Sequence, residues 1–417
     1  MRICLITPAH LSTNPRLVKE ADAFSEAGNE VIVIAATFAP WAREADTAFG
    51  SRPWNVLEPE PFGPLAPPVR RGVQLVRYHG ARWLVGHGFR SPPIVHAAWH
   101  PVVPHLVAAA KRVRADLYVA HYPAALPAAA TAARIHGAGY AFDAEDFHLG
   151  DPPDGPSYDR QRFMVDAIER RYLPGCAFVT AASPGIAAAY AEAYSIELPT
   201  VVLNVFPRSQ GPSEPSPRGW MAPGPTIYWF SQTIGPDRGL EAAVRAIGVA
   251  ECKPQLHLRG APSSGFGDRL ESIATESGVS GRLHLLPPAP PDDMVRLAAA
   301  FDVGLVGETG HSRNRRIALT NKLFAYLLAG IPALATNIEA HRGLAETAAK
   351  GLTLYNVDDP HSLARAIDGL LMNPATLAAS REAAFRLGQN RYNWDVEKRV
   401  LLGCVDRAFG DRGAAAR

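Results

Sequence analysis

Residues 3–35, ICLITPAHLSTNPRLVKEADAFSEAGNEVIVIA, decide the fold. Residues 2–7 (RICLIT) form a short β-rich run. Asn14 can cap a helix, and Pro15 suits its first turn. Within 16–27, Leu17, Val18, Ala21, Phe24 and Ala27 recur at helical spacing, which predicts an amphipathic helix. Gly28 stands where a helix stop belongs. Residues 31–36 (VIVIAA) read as a strand covered on both faces, as in a parallel sheet. The segment is a β-α-β unit.

The alternation continues outward. Strands are expected at 116–121, 140–143, 177–181 and 200–203, with helices at 124–136, 158–172 and from Pro184. A second series has strands at 226–231, 255–259, 282–286, 302–306, 332–336 and 351–354. Its helices are expected at 239–250, 267–277, 291–300, 321–329 and 359–372, followed by a long helical stretch over about 375–408. The proline-rich stretch 206–225 can continue neither a helix nor a central strand. The expected organisation is therefore an α/β chain of two doubly wound, Rossmann-like parallel-sheet domains facing a central cleft. The domains span 1–205 and 226–385, the linker 206–225, and the C-terminal helix 386–417, which is expected to cross back to the first domain.

Composition narrows the function. The 417 residues are 47% apolar and 20% charged, which excludes disorder for the bulk of the chain. Lys plus Arg number 42 against 40 Asp plus Glu, and a net charge of +2 argues against a nucleic-acid partner. Cys4, Cys176, Cys252 and Cys404 lie far apart with no CxxC, so a zinc knuckle or redox pair is unsupported and a reducing compartment fits. The N-terminal apolar run is too short for a signal peptide, and no run of 18 apolar residues occurs. A cytoplasmic protein is expected. There is no GxGxxG after a strand, no Walker A motif and no strict DxD, so no cofactor and no metal are expected.

Ligands of open α/β sheets sit at the carboxyl ends of strands, so the loops there are the candidates. In PAHLSTNPR (8–16), Asn14 and Arg16 stand at a helix start suited to an anion. AFDAEDFH (141–148) crowds Asp143, Glu145, Asp146 and His148 at a strand end, where like charges shift each other's pKa and suit acid–base work or hydroxyl recognition. A polar loop with capping carboxylates would have the same composition. His121 ends the preceding strand and could orient a substrate hydroxyl or serve structure alone. In SQTIGPDRG (231–239), Gly235 and Gly239 would let backbone approach a ligand, and Arg238 can pair with a phosphate. In 307–335, Glu308 follows a strand, while Thr320, Asn321 and Lys322 open a helix and form a candidate diphosphate cradle. Ser183 before Pro184 reads as an N-cap and not as a hydrolase nucleophile. Residues 70–114 hold eight Arg or Lys, no Asp or Glu, and Trp83, Phe89 and Trp99. That mixture suits an anionic membrane surface or a phosphate-bearing acceptor, or a solvated surface paired with acids elsewhere.

At these loops the chain resembles the GT-B glycosyltransferases, of the retaining kind grouped as family four (glycosyl transferases group 1). The resemblance rests on 3–35, on VAHYPAALPAAATAA (119–133), on TVVLNVFP (200–207) and on NKLFAYLLAGIP (321–332). It implies metal-independent transfer of a sugar from a nucleotide-diphosphate sugar to an acceptor hydroxyl with retention, in polysaccharide or glycoconjugate assembly. It places the donor mainly on the C-terminal domain, at Gly235, Arg238, Glu308, Thr320, Asn321 and Lys322, and the acceptor on the N-terminal one. The acceptor could be a glycan, a lipid-linked molecule or a small molecule, with peripheral contact to the inner membrane face through 70–114. Asp143, Glu145, Asp146 and His148 would serve catalysis, and Asn14, Arg16 and His121 the acceptor or phosphate side. The family's glutamate pair falls on Ile317 and Ala325, neither acidic, so Glu308 is expected to meet the sugar instead. Two alternatives share the fold, a sugar-nucleotide epimerase and a catalytically silent partner protein.

Overall fold

A computed structural model describes residues 1–153, 155–215 and 224–414. The central residues 216–223 of the expected linker lie outside the described residues. Two compact units emerge, Met1–Val202 with the chain from Lys398 onward, and Leu203–Glu397.

In the first unit, β1 (Arg2–Thr7), α1 (Pro15–Glu26) and β2 (Glu30–Ala35) form the expected β-α-β unit. Next come α2 (Pro40–Asp46), β3 (Asn55–Leu57), α3 (Pro68–Gly86), α4 (Pro92–Trp99) and α5 (Val103–Ala110). The alternation resumes with β4 (Leu117–His121), α6 (Leu126–His136), β5 (Gly139–Ala144), α7 (Asp159–Tyr172), β6 (Val179–Ala181), α8 (Pro184–Tyr194) and β7 (Thr200–Val201). The strands make a parallel sheet in the order β3-β2-β1-β4-β5-β6-β7, reversing direction of growth between β1 and β4. Ile3 to Ile6 and all of β4 are buried because helices cover both faces.

The second unit runs β8 (Thr226–Ile234), α9 (Leu240–Val249), β9 (Gln255–Pro262), α10 (Phe266–Glu276), β10 (Leu283–Leu286), α11 (Met294–Ala298), β11 (Val303–Val306) and α12 (Arg313–Ile317). It continues with α13 (Asn321–Ala329), β12 (Ala333–Thr336), α14 (Glu339–Ala348), β13 (Leu352–Tyr355), α15 (Pro360–Leu371) and α16 (Pro374–Asn390). The last helix, α17 (Trp394–Ala414), begins in the second unit and continues in the first. The sheet order is β10-β9-β8-β11-β12-β13, again all parallel, with the reversal between β8 and β11. Its core joins Trp229, Leu240, Leu256, Leu305, Leu334 and Ile367.

Three features differ from expectation. β8 runs through Gln232 and Thr233 to Ile234, with a register shift against β9 between Phe230 and Thr233, so the loop proper begins at Gly235. The helical stretch expected over 375–408 is two helices. Asn393, itself buried, donates to the carbonyls of Gly388 and Gln389 and accepts from the Val396 N–H, closing α16 and opening α17. Residues 386–397 consequently belong to the second unit. Finally, α17 seals the first sheet. Leu401, Cys404 and Val405 are buried, and a side chain at Gly139 would collide with the Phe409 ring.

Ser183 caps α8, accepting from the Ile186 N–H at 3.1 Å from a fully buried position. Ser183→Ala should lower stability by about 1 kcal/mol in urea unfolding. Unchanged stability would show that the cap contributes nothing.

Candidate functional site

The C-terminal ends of the first unit's strands converge on a buried ion cluster. Asn14 caps α1 by accepting from the Leu17 N–H at 3.1 Å, which commits its side-chain oxygen to the helix. Arg16 does not face a ligand as expected. Its buried guanidinium grips Asp143 by two parallel bonds, Nε to Oδ2 at 2.6 Å and Nη2 to Oδ1 at 2.7 Å, while Nη1 donates to the Val202 carbonyl at 2.8 Å. Asp143 Oδ1 also accepts from the Thr180 hydroxyl at 2.6 Å. Burial opposes the Asp143 carboxylate, but Arg16, and after it His121 and Thr180, hold its pKa below the usual range.

Glu20 and His121 complete the cluster. His121 Nε2 lies 3.2 Å from Glu20 Oε2, and its Nδ1 3.5 Å from Asp143 Oδ2. Burial and the Asp143 charge push the Glu20 carboxyl up; burial resists the His121 imidazolium, but Glu20 more than offsets it. His121 is thus enclosed between two carboxyl groups and not placed to meet a substrate hydroxyl. Among the described residues, Glu20, His121 and Asp143 form the one group with metal-ligand spacing. The Arg16 guanidinium already sits on Asp143, and a second cation there would meet its full charge in a low-dielectric interior. The arrangement is that of a self-neutralised ionic core.

His148 stands in a different environment. It lines a cavity of about 370 Å³ with Arg82, Trp99, His100, Tyr122 and Met164. Burial drives His100 down to about 4, and Arg82 is the one arginine or lysine among the described residues of this lining. His148 Nδ1 is 2.9 Å from the Tyr190 hydroxyl, which is 2.7 Å from Glu169 Oε1; Tyr194 donates to Glu169 Oε2 at 2.6 Å. With the Tyr190 proton directed to the carboxylate, the bond to His148 requires a proton on Nδ1. Nε2 is then an acceptor in the neutral ring, and it has no hydrogen-bond partner within the protein. Burial opposes the imidazolium, but the hydrogen bond and charge of Glu169 raise its pKa overall. Tyr122, beside the cavity, holds a left-handed backbone (φ 66°) and donates to Glu145 at 3.3 Å. Burial is the main reason the Glu145 carboxyl is raised, with Arg16 acting against it. The Asp146 carbonyl oxygen lies 3.2 Å from the Tyr190 hydroxyl oxygen.

In the second unit, Arg238, Glu308, Thr320 and Lys322 come together. Buried Lys322 Nζ lies 3.4 Å from both Glu308 Oε1 and Thr320 Oγ1 and 5.6 Å from the Trp229 ring centre. Arg238 Nη1 is 3.9 Å from the same Glu308 oxygen, with its side chain 30% exposed. Burial resists Glu308 ionisation, but Lys322, then Arg238 and Arg315, hold its pKa below normal. Burial lowers Lys322, with Glu308 opposing. Asn321 and Lys322 begin α13, whose first-turn N–H groups lack intrahelical acceptors. A Cβ at Gly235 would make ordinary contact with Ser263, whereas Gly239 has φ 65° and a Cβ there would stand 2.6 Å from the Gly307 carbonyl. That backbone contact sets the Arg238 loop against the Glu308 loop. Ile317 and Ala325 are buried, and neither has a polar side chain.

Sequence reading missed Glu20, Tyr122, Glu169 and Tyr190. The signal for two of them was present. Glu20 lies one turn after Arg16 on the buried side of α1, and Glu169 follows Ile168 on the buried stripe of α7.

No family model matches the sequence, and no curated protein matches it. Solved structures do. The complex of Anabaena Alr3699/HepE with UDP and glucose aligns at TM-score 0.70 and 18% identity over 98% of this chain and 100% of that one. Sucrose-phosphate synthase from Thermosynechococcus elongatus aligns at TM-score 0.72 and 14% identity over 99% and 100%. A glycosyltransferase from Rickettsia africae aligns at 0.70 and 13% over 98% of each chain. With its two doubly wound parallel sheets, the chain has the GT-B fold of these glycosyltransferases.

Two predictions follow from the first unit's charges. Asp143→Ala removes the two-pronged partner of the Arg16 guanidinium, leaving Glu20 at 3.6 Å, and should cost about 3–5 kcal/mol in urea unfolding; a loss below 1 kcal/mol would contradict the ionic core. A histidine with a raised folded pKa adds stability below its unfolded value, about 6.5, and loses that contribution as pH rises through the folded value. Glu169→Gln should therefore lower the His148 pKa in an NMR titration. The wild type's stability advantage over this variant should shrink as pH increases above about 6.5.

Proposed function

We propose that this protein is a glycosyltransferase that moves a sugar from a nucleoside-diphosphate sugar to an acceptor hydroxyl, without a metal and with retention of configuration, in polysaccharide or glycoconjugate assembly. The observation that carries this reading is the Arg238–Glu308–Lys322 group beside the start of α13, on loops following β8 and β11. Its two cationic side chains and first-turn amides suit a diphosphate at the carboxyl ends of a doubly wound sheet. HepE, whose fold this chain shares, has been solved with UDP-glucose. The resemblance to retaining enzymes supports the stereochemical part.

As the bond from sugar C1 to the diphosphate breaks, negative charge builds on the leaving oxygen. Arg238, Lys322 and the helix start stabilise that charge, replacing the role a divalent ion plays elsewhere. Glu308 holds Lys322 in position, at the cost of part of its field. The acceptor occupies the first unit's cavity. There His148 lines the acceptor's site, with Glu169 and Tyr190 as positioning residues fixing its tautomer. Arg82 favours an acceptor carrying an anionic group.

Thermal-shift screening against UDP-, GDP-, ADP- and dTDP-sugars tests the donor half. A matching donor at a hundred times its dissociation constant should add about 2.7 kcal/mol. Arg238→Gln should abolish the shift and cut turnover about 100-fold or more. Stabilisation by none of the four would defeat the reading, while near-wild-type turnover in the variant would remove Arg238 from it.

A further inference from the structure

The helix α3 presents an apolar face to solvent. Val69, Val73 and Val76 are 81%, 64% and 75% exposed, and Trp83, two turns beyond Val76, is 60% exposed. Their spacing of four, three and seven residues puts them on one side of the helix. The opposite side is the one that packs, through buried Ala81 and Val85, and α3 lies against α4. Arg70 and Arg77 lie along one flank of the apolar stripe, and the helix has no acidic residue. Glu60 lies 3.5 Å from Arg70 in an exposed pair at the helix start.

From this surface we infer that α3 docks the protein on an anionic lipid bilayer, lying in the plane of the interface. Aliphatic side chains on one face, arginines along one flank and a tryptophan at its end are the arrangement that enters the boundary between headgroups and acyl chains. Charge complementarity selects the occupant. A second copy of this chain would bring the same arginines face to face, whereas an anionic leaflet pairs with all of them. No helix among the described residues is long and apolar enough to cross a membrane, so α3 would lie on the bilayer and not span it. The inference goes beyond sugar transfer and stands without it. Joined to that reading, it gives the acceptor class. Arg82 belongs to α3 and lines the cavity from another face of the helix, so a membrane-borne acceptor with an anionic headgroup would meet the cavity from the docked surface.

Vesicle flotation with the full chain tests this, using phosphatidylcholine vesicles with and without phosphatidylglycerol. The wild type should float only with the anionic lipid, and added salt should release it. Val73→Asp combined with Val76→Asp, both at exposed positions, should abolish flotation while leaving the melting temperature and any UDP-sugar thermal shift unchanged. Arg77→Gln should weaken binding about fivefold. Failure of the wild type to float, or equal flotation of the double variant, would overturn the inference. So would light scattering that shows a dimer lost in the double variant, because the face would then serve self-association. Flotation without any response to nucleotide-sugars would count against the transferase reading alone.

Discussion

A guanidinium with no access to water organises the first unit. Arg16 sits just after β1, yet its partners lie at the ends of other strands: Asp143 on β5 and the Val202 carbonyl after β7, with Thr180 of β6 bonded to the same carboxylate. His121 ends β4 and lies against Asp143 as well. One charge thereby fixes the relative heights of these strand ends, and the loops that carry Glu145 and His148 depart from that fixed rim. Removing either ion would take from the other its two-pronged partner where solvent cannot screen the charge, leaving Arg16 only the longer ionic contact to Glu20 at 3.6 Å or Asp143 that to His121 at 3.5 Å, which makes the pair far less dispensable than a surface salt bridge.

The two units use buried charge in opposite ways. In the first, Arg16 is saturated by hydrogen bonds and has nothing left for a ligand. In the second, Lys322 and Arg238 share one carboxylate at 3.4 and 3.9 Å, distances that leave both cations under-satisfied. An anion arriving beside them would meet positive potential that Glu308 only partly cancels. The difference lies in geometry, since both clusters contain basic residues, carboxylates and a helix start.

The architecture was legible because it depends on local periodicity. The apolar run at 31–36, the helix stop at Gly28 and the Ser183–Pro184 cap each express a rule spanning a few residues, and the structure follows them. The helix α3 escaped notice for a physical reason: it exposes most of its sides, so it lacks the continuous buried stripe that marks a helix. The candidate site was legible as a set of loops but not as a set of roles. Arg16 at a helix start has one signature whether it meets a phosphate or a carboxylate 127 residues away, and only the folded chain decides. Lys322 and Glu308 were readable because both flank short, regular elements. Glu169 was hidden because its partner His148 is joined to it through the Tyr190 hydroxyl, a relay that no spacing encodes.

The terminal helix has a consequence for how the molecule comes into being. Phe409 rests on Gly139 and Leu401 lies in the first unit's interior, so that unit is assembled from both extremities of the described chain. On the ribosome its sheet can form early, but one flank stays uncovered until nearly everything else has emerged. The nascent first half must therefore wait, with greasy surface showing, through the synthesis of an entire second unit, and it is during that interval that a chaperone would find it.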